Sequence, residues 1–486
     1  MKLVYSMKDK PPFGKNLIYG FQQLLAIIAA TVLVPFIVNS NAHYQLLSQS
    51  AALIGAGVGS LIYIAFTRMK SPVFLGSSFA FIAPVTSAVI YGYCGIILGS
   101  LFAGIVYVLI ALIIKFVGSN WIDKLMPPVI IGPTVALIGL SLSSSAINNV
   151  NNTAVAGYNL WCILIGIITF LVTVIVSVKG NKSMKLIPFV IGVLAGYVAA
   201  LLITLVGYKA FGFAYCKIVD FSVFSKITDI NNWMPNITFL GAIKEISTGT
   251  SAGEYLLNGA GVLSILLAFA PVAMVTFAEH IADHKNISSI IEKDLLKDPG
   301  LDKTLLGDGI GTIGGALFGG CPNTTYGESI GCVAITGNAS VWTTLTTAIL
   351  CVVLAFFYPF ILFIETIPAC VVGGICIALY GFIAVSGLRM FKNVDLDNSK
   401  NLFIVAAIFV CGIGGLKLNF GGIEISNIAT ALILGIIVNL ILKPSKEKVE
   451  QTVKVEEGEV EEKTIFGNIY DEKKEKGKDK NKSDKQ

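Results

Sequence analysis

Long apolar stretches recur along most of this 486-residue chain, beginning with LIYGFQQLLAIIAATVLVPFIV at 17–38. Backbone groups inside a bilayer have no water to bind, so only helices and closed barrels can span it. Hydrophobic residues make up 55% of the chain and charged residues 13%, which no soluble domain shows. We therefore predict an all-α polytopic membrane protein. The chain has about fourteen candidate membrane-spanning segments, several of which are short or interrupted by Pro and Gly. They lie at 17–38, 46–66, 72–90, 95–117, 127–147, 157–178, 186–206, 258–282, 304–320, 323–337, 340–364, 367–388, 400–416 and 423–442.

Basic residues predict the orientation of these segments. They cluster in loops that follow even-numbered segments, such as Arg68 with Lys70 and the group from Lys179 to Lys185, while the loops 91–94 and 141–156 carry no charge. The positive-inside rule then puts both termini in the cytoplasm, with the protein in the cell membrane. From Lys443 onward the chain holds 12 Lys and 12 Asp or Glu, so the net charge of +5 belongs to the membrane body and no nucleic-acid partner is expected. Residues 444–486 read as a disordered cytoplasmic tail.

One apolar segment is broken by polar residues. Cys321–Gly337 contains a proline, two glycines near its middle and Glu328, which is flanked by Tyr326, Gly327 and Ser329. A carboxylate at mid-membrane costs roughly 2.5–3.5 kcal/mol, so it is tolerated only against protein, water or a ligand. A structural acid bonded to a neighbouring helix would satisfy this rule. The hydrogen-bonding groups around Glu328 favour half of a binding site.

The two halves of the chain resemble each other. Pro127 and Gly132 recur as Pro368 and Gly373, 241 residues later, and the break at 71–81 has a counterpart at 321–331. Seven segments per half make the repeats inverted across the membrane. Paired interrupted segments in such repeats indicate a transporter whose substrate site lies at the membrane midplane.

A second polar group ends the segment at 258–282. Helical spacing puts Glu279 and Asp283 on one face, one turn apart, with His280 and His284 beside them. We expect the histidines to lie at the interface near the basic loop and not to touch the substrate. With no third ligand evident, we expect no metal.

Other motifs carry no chemistry. The GxGxxG spacing at Gly309–Gly314 lies in a membrane segment without a preceding strand, so it indicates close helix packing, as do Gly55 and Gly59. The nine cysteines are scattered packing residues. No cofactor is expected, and without a nucleophile or metal cluster the chain is not expected to be an enzyme.

The sequences AEHIADHKN, KDLLKDPGLDKTLLGDGIGT and PNTTYGESIG resemble the nucleobase:cation symporter-2 family (nucleobase–ascorbate transporters), and most of all its bacterial uracil permeases. The resemblance covers residues 12–443. It implies fourteen segments in two inverted repeats, with short extended stretches in segments 3 and 10. It further implies a core domain of segments 1–4 and 8–11 (residues 1–125 and 258–366) and a gate domain of segments 5–7 and 12–14 (residues 126–257 and 367–443).

The resemblance also implies proton-coupled nucleobase uptake by alternating access, and a possible homodimer joined through the gate domains. Ser329 replaces the Asn of the family signature, so the orienting hydrogen bond is expected to be shorter or water-mediated, and Gln22-Gln23 stands where Gln-His is common. Carried over by motif, the substrate would meet Ala30, Phe79, Glu279, Asp283, Gly327 and Glu328, with Tyr326, Ser329 and Gln22 in support and Glu279 and Asp283 as proton-coupling residues.

Uracil fits these residues chemically. Its two ring N–H donors and two carbonyl acceptors match two carboxylates and free backbone N–H groups, and an unmatched buried partner costs roughly 1–3 kcal/mol. An acid at Glu328, where purine-transporting relatives carry an amide, favours a pyrimidine. A purine (xanthine or urate) symporter of the same family is the alternative. An anion transporter of the same architecture is disfavoured because acids in the site repel anions.

Overall fold

The structure is a computed structural model that describes residues 3–42, 44–118, 121, 125–151, 159–229, 233–390, 392, 394–420 and 423–442, all within the compact unit Met1–Leu442. The predicted tail, 444–486, lies outside the described residues.

The first half of the described chain is a series of helices interrupted once by a strand. Its elements are α1 (Phe13–Ala42), α2 (Gln49–Phe66), β1 (Leu75–Ser77), α3 (Ile82–Ala88), α4 (Gly92–Val117), α5 (Pro128–Ser141), α6 (Ser143–Asn151), α7 (Leu160–Lys179) and α8 (Pro188–Ile203).

The second half repeats this order after α9. Its elements are α9 (Thr238–Thr248), α10 (Gly259–Ile291), α11 (Leu301–Gly319), β2 (Asn323–Thr325), α12 (Gly327–Thr336), α13 (Val341–Ala355), α14 (Tyr358–Glu365), α15 (Ala369–Met390), α16 (Ser399–Ile413), β3 (Leu418–Phe420), β4 (Ile423–Ile425) and α17 (Asn427–Ile441).

The prediction of a helical, multi-pass membrane protein is confirmed. Within the described ranges, eight helical stretches are long and apolar enough to cross a membrane, and a ninth results if α13 and α14, bent by 78°, count as one span. The total of fourteen stays a prediction, because α16 and α17 have only 15 residues each and segment 10 combines β2 with the 10-residue α12. Outward-facing side chains such as Leu160, Ile175 and Val178 on α7 are exposed, as expected for helices that hydrocarbon surrounds.

The predicted extended stretches are also confirmed. β1 and β2 pair antiparallel, with Leu75 opposite Thr325 and Ser77 opposite Asn323. The two strands occupy equivalent places in the two halves, each after a pair of long helices. Antiparallel pairing of equivalent elements is what an inverted repeat requires where its halves meet.

Glycines bring α2 and α11 together, as predicted. A Cβ built on Gly59 would lie 2.8 Å from the carbonyl oxygen of Gly311, and the reverse holds at the same distance. Gly55 faces the carbonyl of Gly315 in the same way. Close approach of these two helices fixes the position of β1 and β2, which follow them in the chain.

The connection at 207–257, which has little sequence pattern, contains a buried acid. Glu245 on α9 is 7% exposed. Its Oε1 accepts hydrogen bonds from the backbone N–H groups of Tyr93 (2.9 Å) and Ala252 (2.8 Å), and its Oε2 accepts one from Cys94 (2.9 Å). The carboxylate therefore holds α9 against the first turn of α4.

Candidate functional site

A cavity of about 80 Å³ lies where the two broken segments meet. Phe79 follows β1, and Tyr326 and Gly327 follow β2, so both breaks contribute the start of a helix to its wall. Proline and glycine interrupt the apolar segments at these points, which is why short strands replace continuous helices. The described residues that line the cavity are Ser78, Phe79, Ala80, Val135, Ile138, Glu279, Thr324, Thr325, Tyr326, Gly327, Glu328 and Ile383.

Two carboxylates from different helices face this cavity. Glu279 comes from the middle of α10, and Glu328 comes from the first turn of α12. Both are half-buried, and among the described residues neither accepts a hydrogen bond from another side chain. A buried carboxylate normally has such partners, because losing water without replacement is costly. Both acids therefore have acceptor capacity that no other described side chain uses and that is available to whatever occupies the cavity.

The start of α12 supplies donors beside these acceptors. The first N–H groups of a helix have no partner within the helix, and no side chain in the described part of the chain caps this one. The backbone N–H of Tyr326 is already used, since it donates to the carbonyl of Phe74 (3.0 Å), but Gly327 and Glu328 begin the helix at the cavity wall. The site thus offers both donors and acceptors to a planar polar ligand.

Gly327 leaves room at the cavity. A Cβ built on this residue would have no atom of the described residues within 4 Å, so the described fold does not require a glycine there. Gly76 is different, because a Cβ on it would collide with the ring of Tyr326. The Tyr326 hydroxyl donates to the carbonyl of Ser77 at 2.8 Å, which fixes its ring between the two breaks.

Ser329 joins three elements directly. Its Oγ accepts from the backbone N–H of Phe74 (3.2 Å) and from Nε2 of Gln23 (3.0 Å), and Oε1 of Gln23 accepts from Thr347 (2.9 Å). Ser329 thus makes two direct hydrogen bonds, and the expectation of a shorter or water-mediated bond in place of the family's Asn stays a prediction. Gln23, and not the predicted Gln22, makes this connection, while Oε1 of Gln22 is buried without a partner among the described residues.

Two predicted substrate contacts do not line the cavity. Ala30, on α1, is 1% exposed and belongs to an apolar cluster of several helices that also contains Tyr326. Oδ2 of Asp283 accepts from the hydroxyl of Thr325 at 2.6 Å, so this acid lies one turn beyond Glu279 and holds β2. The structure thus brings Phe79, Glu279, Gly327 and Glu328 together, with Tyr326 beside them.

The histidines are buried, which contradicts the expectation that they lie at the interface. His280 and His284 are both 0% exposed, and their rings stack at 4.1 Å. Nδ1 of His280 lies 2.7 Å from Oδ2 of Asp308, a buried acid that the sequence did not single out. Nε2 of His284 lies 2.6 Å from the hydroxyl of Tyr63. Neither histidine lines the cavity, so this network joins α10 to α2 and α11.

Aromatic contact links the cavity to α15. The rings of Phe79 and Tyr380 meet edge to face at 6.3 Å, and Ile383 on the next turn of α15 lines the cavity with Val135 and Ile138 from α5. One wall of the site therefore comes from α5 and α15, and the polar wall comes from α10, α12 and the breaks.

Comparison with known proteins agrees with this architecture. The model of a family described as "Permease family" matches residues 14–420. The uracil permease of Bacillus caldolyticus is 35% identical over 445 residues, covering 91% of this chain and 95% of that protein. The uracil permease of Escherichia coli K12 is 34% identical over 443 residues, covering 90% and 93%. A putative pyrimidine permease, RutG, from the same strain is 30% identical over 448 residues, covering 90% and 92%.

Solved structures show the same fold in more distant proteins. The transmembrane domain of the cyanobacterial bicarbonate transporter BicA superposes with a TM-score of 0.54 at 14% identity, covering 90% of this chain and all of that domain. The murine anion transporter Slc26a9, inward-facing, gives a TM-score of 0.60 at 10% identity, covering 89% of this chain and 69% of that one.

Proposed function

Because the chain belongs to the permease family, we propose that it takes up uracil across the cell membrane together with protons, by alternating access. The observation that carries this proposal is the pair of carboxylates, Glu279 and Glu328, that face one small cavity and have no side-chain partner among the described residues. Three of the similar proteins cited above are named as uracil or pyrimidine permeases, which supports the same substrate class.

The ligand chemistry of the cavity supports a single pyrimidine ring. Uracil presents two N–H donors for the carboxylates of Glu279 and Glu328, and two carbonyls for the N–H groups at the start of α12. Phe79 offers an aromatic surface on which the ring can lie. A purine carries a second ring with its own donors and acceptors, which the residues that line the cavity would also have to match.

Alternating access requires the two walls of the site to move relative to each other. The polar wall belongs to the proposed core domain (1–125 and 258–366), and Val135, Ile138 and Ile383 belong to the proposed gate domain (126–257 and 367–443). The contact between them is apolar, so no hydrogen bond from these gate residues has to break when the walls separate. A homodimer through the gate domains and cytoplasmic termini remain predictions that accompany this proposal.

Radiolabelled uptake tests the substrate assignment. The chain should restore [¹⁴C]uracil uptake to a bacterial strain that lacks its own uracil permease, and excess unlabelled uracil should compete while xanthine and urate should not. Expression without uracil uptake, combined with uptake of labelled xanthine, would replace uracil by a purine as the substrate.

A further inference from the structure

A second cavity, unrelated to the substrate site, lies between α1, α8 and the bent pair α13–α14. Its volume is about 230 Å³, and every described residue that lines it is apolar. Phe21 and Phe36 mark its two ends along α1, while Val193 on α8 and Phe357 before α14 form the opposite walls. Phe21 is 51% exposed and Phe357 is 55% exposed, so this groove opens to the surroundings of the protein.

The length of the groove suits an acyl chain. Phe21 and Phe36 are fifteen residues apart on one helix, which corresponds to about 22 Å at the α-helical rise per residue. The hydrocarbon core of a bilayer is about 30 Å thick and one leaflet about half of that, so the groove is long enough to hold an acyl chain over the full depth of one leaflet. The groove lies along membrane-crossing helices, and the described residues that line it have no polar side chain for a water molecule to bind.

One end of the groove carries unbalanced positive charge. The turn Met184–Leu186 leads into α8 and contacts α1, and Val190 in the first turn of α8 lines the groove. Lys182 and Lys185 lie at this turn and are exposed, and neither belongs to an ion pair among the described residues. The sequence contains no Asp or Glu between 124 and 219 that could neutralise them.

We propose that this groove binds an anionic phospholipid of the surrounding bilayer, with one acyl chain between α1 and α8 and the phosphate group beside Lys182 and Lys185. The acyl chain and the headgroup of such a lipid are recognised separately. The apolar walls of the groove fit the chain, and the two lysines at its end fit the anionic headgroup. The predicted orientation puts these lysines on the cytoplasmic side. The site touches helices of both proposed domains, α1 and α14 on one side and α8 on the other.

Lipid retention by the purified full-length protein tests this site. The protein is reconstituted in mixed phosphatidylglycerol and phosphatidylcholine, re-extracted in mild detergent, and its bound lipid is quantified by native mass spectrometry. Phosphatidylglycerol should be retained in preference, and Lys182→Gln combined with Lys185→Gln should reduce its retention about tenfold or more. Lys209→Gln combined with Lys244→Gln removes the same charge from exposed positions elsewhere and should leave retention unchanged.

A second variant tests the acyl-chain half of the site. Val193→Trp fills the groove from α8 and should lower phosphatidylglycerol retention as strongly as the lysine substitutions do. Both lysine positions are exposed, so that variant stays informative even if Val193→Trp folds poorly. Equal retention of the two lipids, or retention that neither variant changes, would overturn the proposal. Uracil uptake is not part of the measurement, so the result is independent of the substrate assignment.

Discussion

Glu279 and Glu328 are the residues on which uracil recognition should depend most. Replacing either by Gln puts an amide N–H₂ where the ring N–H needs an acceptor, and an unmatched buried donor costs roughly 1–3 kcal/mol. We expect roughly 5- to 150-fold weaker uracil binding for Glu279→Gln and for Glu328→Gln, measured by isothermal titration calorimetry on the purified protein. Glu365→Gln, an acid paired with Lys226 outside the cavity, is the matched control and should bind normally.

Normal uracil affinity in both cavity variants would remove these acids from the binding site. The comparison requires similar amounts of each variant in the membrane fraction. We expect such amounts, because an amide in place of an unpaired carboxylate should not impair folding.

Gly327 should be required for the ligand and not for the fold. Its missing Cβ faces open space at the cavity wall, so Gly327→Ala should melt at the same temperature as the parent without uracil. The added methyl group then occupies space where the ligand approaches the backbone. We expect uracil to bind about tenfold more weakly or worse, as measured from uracil-induced stabilisation in a thermal-shift titration.

Gly331→Ala provides the control for this experiment. A Cβ at Gly331 would likewise meet no atom of the described part of the chain within 4 Å, but Gly331 does not line the cavity. Equal uracil-induced stabilisation in both variants would mean that the ligand does not approach Gly327.

Between helices, Glu245 is the connection that could least be expected from the sequence. Glu245→Gln replaces one carboxylate oxygen by an N–H₂ group that faces a backbone N–H of Tyr93, Cys94 or Ala252. The variant should lose roughly 1–3 kcal/mol of stability, visible as a lower melting temperature in detergent, while uracil affinity at low temperature stays normal. Glu254→Gln changes an exposed acid in the same connection and should melt like the parent. An unchanged melting temperature in Glu245→Gln would contradict this role.

How far the sequence predicts each element depends on whether the signal is local. Proline, glycine and hydroxyl residues at 71–81 and 321–331 predicted the two breaks, and these form β1 and β2. The burial of His280 could not be predicted, because helical spacing gives the face of α10 but not the helix that covers it, and α11 supplies Asp308.

The residues of the candidate site also differ in whether a local sequence signal predicts them. Glu279 and Glu328 were predicted because an acid in an apolar segment is conspicuous by itself. Gln23 was missed in favour of Gln22, since neighbouring residues on a helix point about 100° apart and only the packing of α1 against α12 selects between them. Ala30 has no polar group that could have indicated whether it faces ligand or core.

For the molecule as a whole, the proton gradient should drive uptake. A difference of about one pH unit corresponds to about 1.4 kcal/mol per proton, which suffices for about tenfold accumulation. Proteoliposomes with an acidic exterior should therefore accumulate uracil, and a protonophore should abolish the accumulation with or without sodium. Accumulation that requires a sodium gradient and ignores pH would assign the coupling to sodium and remove Glu279 and Asp283 from the proton path.

The pairing of β1 with β2 determines how the polypeptide would behave if it were cut into two fragments. Each half of the polypeptide supplies one strand and one helix start, so neither half alone can form the pocket. Two separate polypeptides, cut in the connection between α8 and α9, would each insert as a bundle and would regain function only by complementation, when strand meets strand. The three-residue ladder between Leu75–Ser77 and Asn323–Thr325 would then act as the recognition element that reunites the fragments.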